Sequence, residues 1–518
     1  MAWRYGRRVQ SGEMRILHGV YRRIFLLVAL ICLAAYFAAP SVGIHSQRTV
    51  LPAIIALIAV AVGAEMLPWL RARRLTARAA RLSAAGRTDE AIAAYDACVE
   101  RFGNDHELQP GVAWALYSKG YDLDRLDRSE EALVVFTELI TRFGDQKVPA
   151  LQARVAQALF AKGGSLKKLG RDEEQVSTYR ELIDQFGSSW ESSTRDAVAG
   201  ALVNEGLSLA RQGRLEDAIA TTDDAVKRFG DAPRLQLRVQ VARALRNKGL
   251  WLQQLDRSDE AVAVCDEVVS RFGQAKEPEL REVVAKALSN KSWTLGRLGR
   301  RDDEAAAYDE IIARFGNAKD KEIRPLVASA LASKASLIDG SGGDADGAEI
   351  NYKRAIDADP ASANSLAQYA VFLMNVRGDA DTAETYFQRG IHSDATNAYA
   401  LGNYANLLAD TRDELDMADA LYKRAIDADP TRAAILGNYA RFLGFIRHDP
   451  DGAETYYKRA IEADPTLAIT LGNYAIFLDT VLHDPDRAEE FYKRAIAADP
   501  SDAENHRAYS VFLETVRQ

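Results

Sequence analysis

Along Leu436 to Pro465 the apolar and small residues Leu436, Tyr439, Ala440 and Leu443 recur at i, i+3, i+4 and i+7, which is the spacing of one helix face. After the polar turn His448-Asp449-Pro450, a second set at Ala453, Tyr457, Ala460 and Ile461 falls at 0, 4, 7 and 8, again one face. The pattern predicts two helices, A and B, the second stopped where Asp464-Pro465 disfavours helical backbone. Neither helix could bury its apolar face alone, so each pair needs neighbours. They are present in the chain: Tyr457 has equivalents at Tyr352, Phe387, Tyr422 and Tyr492, each 35 residues from the next. A fixed period of that size predicts a helical solenoid.

A longer period precedes this one. Phe-Gly recurs at Phe102, Phe143, Phe186, Phe229, Phe272 and Phe315, with spacings of 41 and then 43. Glycine just past the last helical residue is a C-cap signal, so Gly103, Gly144, Gly187, Gly230, Gly273 and Gly316 are expected to end six B helices. The added length goes into helix A, and Glu277 to Leu298 reads as one continuous helix. Small residues stand at one site of these A helices: Gly120, Gly163, Gly206, Gly249, Ser292 and Ala335.

The order large, small, small, aromatic, small, proline, carried by Leu436, Ala440, Ala453, Tyr457, Ala460 and Pro465, resembles the signature of the tetratricopeptide repeat (TPR) family. The repeat is one residue longer than that signature, and the extra residue is expected in the turn between helices A and B. Pentatricopeptide repeats share the period but bind RNA, which calls for a basic groove. Residues 82–518 carry a strongly acidic balance within a chain of net charge −8, which excludes that class. The expected fold is all-α: a right-handed α-solenoid of about eleven TPR-like helix pairs, preceded by two transmembrane helices.

The transmembrane expectation comes from the first 81 residues, which contain arginine but no lysine and only Glu13 and Glu65 as acids. Two apolar runs, Ile24 to Ala39 and Val50 to Leu70, approach the roughly 20 residues that span a bilayer. Arginines cluster before the first run and after the second, with only Arg48 between them. The positive-inside rule then predicts a hairpin integral to the plasma (inner) membrane, with both termini and the repeats in the cytoplasm. A cleaved signal peptide over Ile24 to Ala39 fits less well, because a second apolar run follows. The expected organisation is a basic N-terminus (1–23), the hairpin (24–70), a long-repeat array (71–338), a Gly-rich turn (339–343), a 35-residue-repeat array (344–500) and a capping helix (501–518).

Candidate binding residues come from one column of helix A. Asn204, Asn247 and Asn290 in the first array, and Asn403, Asn438 and Asn473 in the second, lie two residues before the small site. The column is broken at Ser118, Ala161, Ser333 and Gln368. An asparagine amide both donates and accepts, so it can satisfy a peptide group without reading the side chain attached to it. Such a column resembles the asparagine ladders with which some TPR proteins hold extended peptides by their backbone. The alternative is that these side chains bond to neighbouring helices or to water. Lys119, Lys162, Lys248, Lys291 and Lys334 directly follow the column, either as a strip for an acidic partner or as stems lying over a half-buried face.

No enzyme signature emerges. The seven histidines are scattered without metal-ligand spacing, and Cys32, Cys98 and Cys265 are far apart and read as structural thiols. No Walker A loop, nucleophile elbow or dinucleotide fingerprint occurs. No catalytic residue, cofactor, metal or nucleic-acid partner is expected. The expected function is a membrane-anchored scaffold or adaptor that captures a protein or peptide in its concave groove. The alternative is an accessory subunit of a membrane enzyme or envelope-assembly complex.

Overall fold

The computed structural model describes residues 70–340 and 343–516. Every regular element among them is a helix, and the chain divides into two compact units at Leu255/Asp256. The first unit contains a helix over 70–84, then Thr88–Phe102, Gln109–Arg125, Ser129–Phe143, Pro149–Lys168, Asp172–Phe186, Ser192–Arg211, Leu215–Phe229 and Leu235–Gln254. These alternate as A and B helices, as the periodicity predicts.

The first unit shows what the small A-helix site is for. An added Cβ at Gly120 would lie 2.6 Å from the Phe136 ring, and one at Gly163 would lie 2.3 Å from the Tyr179 ring. Phe136 and Tyr179 belong to the following B helices and are almost wholly buried. The glycines therefore let an aromatic ring rest directly on the A-helix backbone.

The Phe-Gly pairs end their B helices, as expected. Gly103, Gly144, Gly187, Gly230, Gly273 and Gly316 follow the last helical residue, but all six are right-handed. Close approach explains the glycine instead. A Cβ on Gly103 would meet the Val99 carbonyl at 2.5 Å and the Arg142 guanidinium at 2.8 Å, and Arg142 of the next B helix donates to the Gly103 carbonyl. Arg314 donates to Gly273 O in the same way, at 3.1 Å. The left-handed positions end the A helices: Gly86, Asp127, Gly170, Gly213, Asp256 and Gly299 all have positive φ.

One acid in the first unit is poorly accommodated. Asp122 is 3% exposed; its Oδ1 accepts from Ser83 Oγ at 2.8 Å, while Oδ2 lacks a partner. Burial pushes its pKa up, against the Ser83 hydrogen bond and Arg125. A folded value above the unfolded one means that the folded state holds the proton more tightly. Stability from this group is therefore gained as the pH falls through the window between the two values and lost as it rises. Asp122→Asn is expected to raise stability by about 1 kcal/mol near neutral pH. Urea unfolding at pH 7 and in mild acid should show that gain shrinking on acidification.

The second unit runs Ser258–Phe272, Pro278–Arg297, Arg301–Phe315, Arg324–Gly340, Ala345–Ala358 and Ala363–Phe372, then Ala380–Ser393, Ala398–Leu407, Leu415–Ala428 and Ala433–Arg441. Pro450–Ala463, Ala468–Thr480, Pro485–Ala498 and Ala503–Val516 complete it. The long helix expected over Glu277 to Leu298 is present as Pro278–Arg297. Asp339 and Gly340 lie at the end of their helix, and Asp344 caps the next by accepting from the Asp346 amide at 3.1 Å.

The extra residue of the 35-residue repeat sits in the end of helix A, not in the turn. There the ladder widens to i→i−5 bonds: Gly378 N–H to Leu373 O, Asp413 to Leu408, Arg447 to Phe442 and Leu482 to Phe477. The residue at the following turn is left-handed in every case: Gly378, Asp413, His448 and His483. His448 and His483 are thus turn residues. Layers of aromatic rings fill the core. Each B-helix ring meets the next A-helix tyrosine, with centroids 5.8 Å apart for Tyr352–Tyr369, 5.9 Å for Phe387–Tyr404 and 5.1 Å for Tyr457–Tyr474.

The predicted membrane localisation is corrected. No helix among the described residues is long and apolar enough to cross a bilayer. Pro149–Lys168 has the length at 20 residues, but Arg154, Lys162, Lys167 and Lys168 make it too charged to cross a bilayer. The runs 24–39 and 50–69, on which the hairpin expectation rests, lie outside the described residues, as does Cys32.

Candidate interaction surface

In the second unit the asparagine column is framed by its neighbours in sequence. The preceding glycine lies under the next A helix: a Cβ on Gly402 would be 3.1 Å from Ile435, and one on Gly437 would be 2.7 Å from Thr470. The following tyrosine turns the other way, and its hydroxyl donates to an acid of the preceding B helix. The distances are 2.9 Å for Tyr404–Glu384, 2.8 Å for Tyr439–Asp419 and 3.3 Å for Tyr474–Glu454. Asn403, Asn438 and Asn473 stand between these two packed directions and are half-buried.

Their hydrogen bonding separates them. Asn403 Nδ2 donates to Tyr399 O of its own helix at 2.9 Å. The side chains of Asn438 and Asn473 make no hydrogen bond among the described residues, so two adjacent amides of the column keep donor and acceptor available. In the first unit Asn204 Nδ2 reaches Tyr179 Oη at 3.4 Å, and Asn247 is 8% exposed with Oδ1 3.4 Å from the Arg246 guanidinium. Asn290 is half-buried in the second unit. The six asparagines therefore do not form one uniform surface, and the pair at 438 and 473, on successive A helices, combines partial exposure with unused polar groups.

The acids behind the tyrosines form a network that the sequence reading missed. Glu454 accepts from Tyr474 and also from Arg487 at 2.9 Å, and it pairs with Lys458 at 3.0 Å. The Arg487 and Lys458 contacts hold its carboxyl below the usual range, while burial pushes the Tyr474 hydroxyl up to about 12. A constant interval of 20 residues between acid and tyrosine was the available signal, as in Glu349–Tyr369 and Glu489–Tyr509.

Residues 203–276 match the family model of the tetratricopeptide repeat. No curated protein matches the chain. Solved structures do match over part of it. One is YrrB, described as a TPR protein with an unusual peptide-binding site, at 17% identity over 40% of this chain and 99% of that one, with a TM-score of 0.26. Another is PilW, a widely conserved type IV pilus biogenesis factor, at 18% identity over 43% of this chain and 97% of that one, with a TM-score of 0.34.

Within residues 203–276 and on either side of them, the lysines after the asparagine column have partners. Lys248 pairs with Asp223 at 2.5 Å, Lys291 with Asp266 at 2.6 Å and Lys119 with Asp96 at 2.5 Å, and Lys334 pairs with Asp309. Each bond ties an A helix to the preceding B helix. In one repeat the charges are exchanged: Glu205 takes the lysine's place and Arg180 the aspartate's, 2.8 Å apart. Lys162 stands at the register position opposite Thr137. Four of the five lysines thus belong to an inter-repeat ion-pair ladder.

Proposed function

We propose that this chain is a protein–protein interaction scaffold that holds an extended segment of a partner polypeptide by its backbone. The segment lies along the A helices Ala398–Leu407, Ala433–Arg441 and Ala468–Thr480. The reading is carried by Asn438 and Asn473, half-buried on successive A helices and making no hydrogen bond of their own among the described residues. Packed helices lie about 8–10 Å apart, and an extended chain advances about 10 Å in three residues. Successive asparagines then meet every third peptide group, with Asn403 joining once it releases the Tyr399 carbonyl. The role is binding, not catalysis.

The test is a phage-displayed peptide library selected on the full-length chain, with the peptides then measured against Asn403→Ala/Asn438→Ala/Asn473→Ala. Selected peptides are expected to bind the triple variant about a hundredfold more weakly, from the loss of three hydrogen-bonding side chains worth about 1 kcal/mol each. They should tolerate alanine at each position in turn, since the asparagines meet the backbone, and the helical melting of the triple variant should not change. Equal binding to the triple variant would make the column structural.

A further inference from the structure

In the 35-residue repeats the groove between successive B helices is normally filled by an aromatic ring from the second of them. Tyr386 packs edge-on against Tyr369, Tyr456 against Tyr439 and Phe491 against Tyr474, each with centroids 4.8 Å apart and planes at 69°. An arginine one turn on covers each ring: Arg389 over Tyr386 at 4.9 Å, Arg459 over Tyr456 at 4.9 Å and Arg494 over Phe491 at 4.6 Å. Three grooves of one chain thus share a single arrangement: tyrosine floor, ring, guanidinium lid.

The groove between Ala380–Ser393 and Leu415–Ala428 has the floor and the lid without the ring. Leu421 occupies the position of Tyr386, Tyr456 and Phe491, while Tyr404 and Arg424 keep theirs. The result is a cavity of about 480 Å³ lined by Tyr404, Leu421, Arg424, Met417, Gln388 and His392. Other repeat positions change here too. Gln388 stands where Lys353, Lys423 and Lys458 stand, and His392 stands where Asp357, Asp427 and Glu462 stand. Met417, 52% exposed, takes the place of Thr382, Gly452 and Arg487. These substitutions remove charge and bring a flexible apolar side chain to the rim of one groove.

We propose that this groove is a docking site for an aromatic side chain of a partner polypeptide, which takes the place that Tyr386, Tyr456 and Phe491 fill in the sister repeats. The incoming ring packs edge-on against Tyr404 and under Arg424. Gln388, whose amide lies 3.1 Å from Tyr404 Oη, and Met417 border the ring's apolar edge. The site is on the B-helix side and does not depend on the asparagine column.

The probe is N-acetyl-phenylalaninamide, with N-acetyl-leucinamide as control, followed by saturation-transfer NMR on the full-length chain. Ring protons of the aromatic probe are expected to receive saturation, and the leucine probe about tenfold less, the difference an aromatic pair supplies. Leu421→Phe should fill the cavity with the chain's own ring, abolish the signal and raise the melting temperature by about 2 °C or more. Leu421→Tyr, the residue type of two sister repeats, should do the same. The triple asparagine variant should bind the probe as the native chain does, which separates this site from the groove proposed above. An absent signal in the native chain, or an undiminished one in both Leu421 variants, would overturn the proposal. So would concentration-dependent self-association lost in both Leu421→Phe and a variant of the 92%-exposed Trp190, since a second copy would then be the occupant.

Discussion

Replacing Tyr457 with alanine is expected to destabilise the second unit by about 3–5 kcal/mol, the cost of removing a large ring from a packed core. Tyr457 is fully buried and packs on Tyr474 at 5.1 Å and on Phe477 at 5.4 Å, so the hole would open between two repeats at once. Phenylalanine at the same place should behave differently. The Tyr457 hydroxyl is buried without a hydrogen-bond partner, whereas that of Tyr422 donates to Asn406. One period on from Asn406 stands Arg441, which turns away to Asp410 at 3.0 Å. Tyr457→Phe should therefore be neutral or raise stability by about 1 kcal/mol, and Tyr422→Phe should lower it by a similar amount. The chain already carries this replacement at Phe387. Urea unfolding of the three variants decides it; equal losses for Tyr457→Phe and Tyr422→Phe would contradict the assigned packing.

The second large effect is expected at the reversed ion pair. The Glu205 side chain is 7% exposed and Arg180 is 50% exposed, so Arg180→Ala leaves a buried carboxylate without its cation. Burial already pushes the Glu205 pKa up, with Arg180 opposing. A fully buried pair broken in this way costs about 3–5 kcal/mol; the exposure of Arg180 brings the expected loss to about 2 kcal/mol. Because the sister repeats hold the same bond in the opposite sense, Arg180→Asp with Glu205→Lys should recover most of that loss. A double variant no more stable than Arg180→Ala would show that the site does not share the ladder's geometry. The same comparison in 1 M salt should shrink the differences, since only the half-exposed partner is open to screening.

Tyr457 and Arg180 also illustrate what could be read without coordinates. Tyr457 was identifiable as core because its period and its place on an apolar helix face are local properties of the chain. The Lys-Asp ladder was half legible: the lysine column was visible, but its partners lie 23 to 25 residues earlier, on another helix, and no local spacing connects them. The Phe-Gly pairs were legible as helix ends, but the close approach at Gly103 was not, because the arginine that crosses it comes from 39 residues away. The asparagine column was visible as a column. Which members keep unused polar groups depends on contacts such as that between Asn204 and Tyr179, 25 residues apart.

What the sequence by itself determined is the helical repeat: two periods, the alternation of A and B helices, and the faces they bury. These follow from intervals of three, four and about forty residues, which act along one helix or between adjacent copies of one unit. Only the tertiary structure decided where the extra residue of each 35-residue repeat goes, which charges meet, and that a cavity lies beside Leu421 where the sister grooves hold an aromatic ring. Those outcomes depend on how side chains from two or three helices share one volume, and that sharing is set by close packing, not by periodicity.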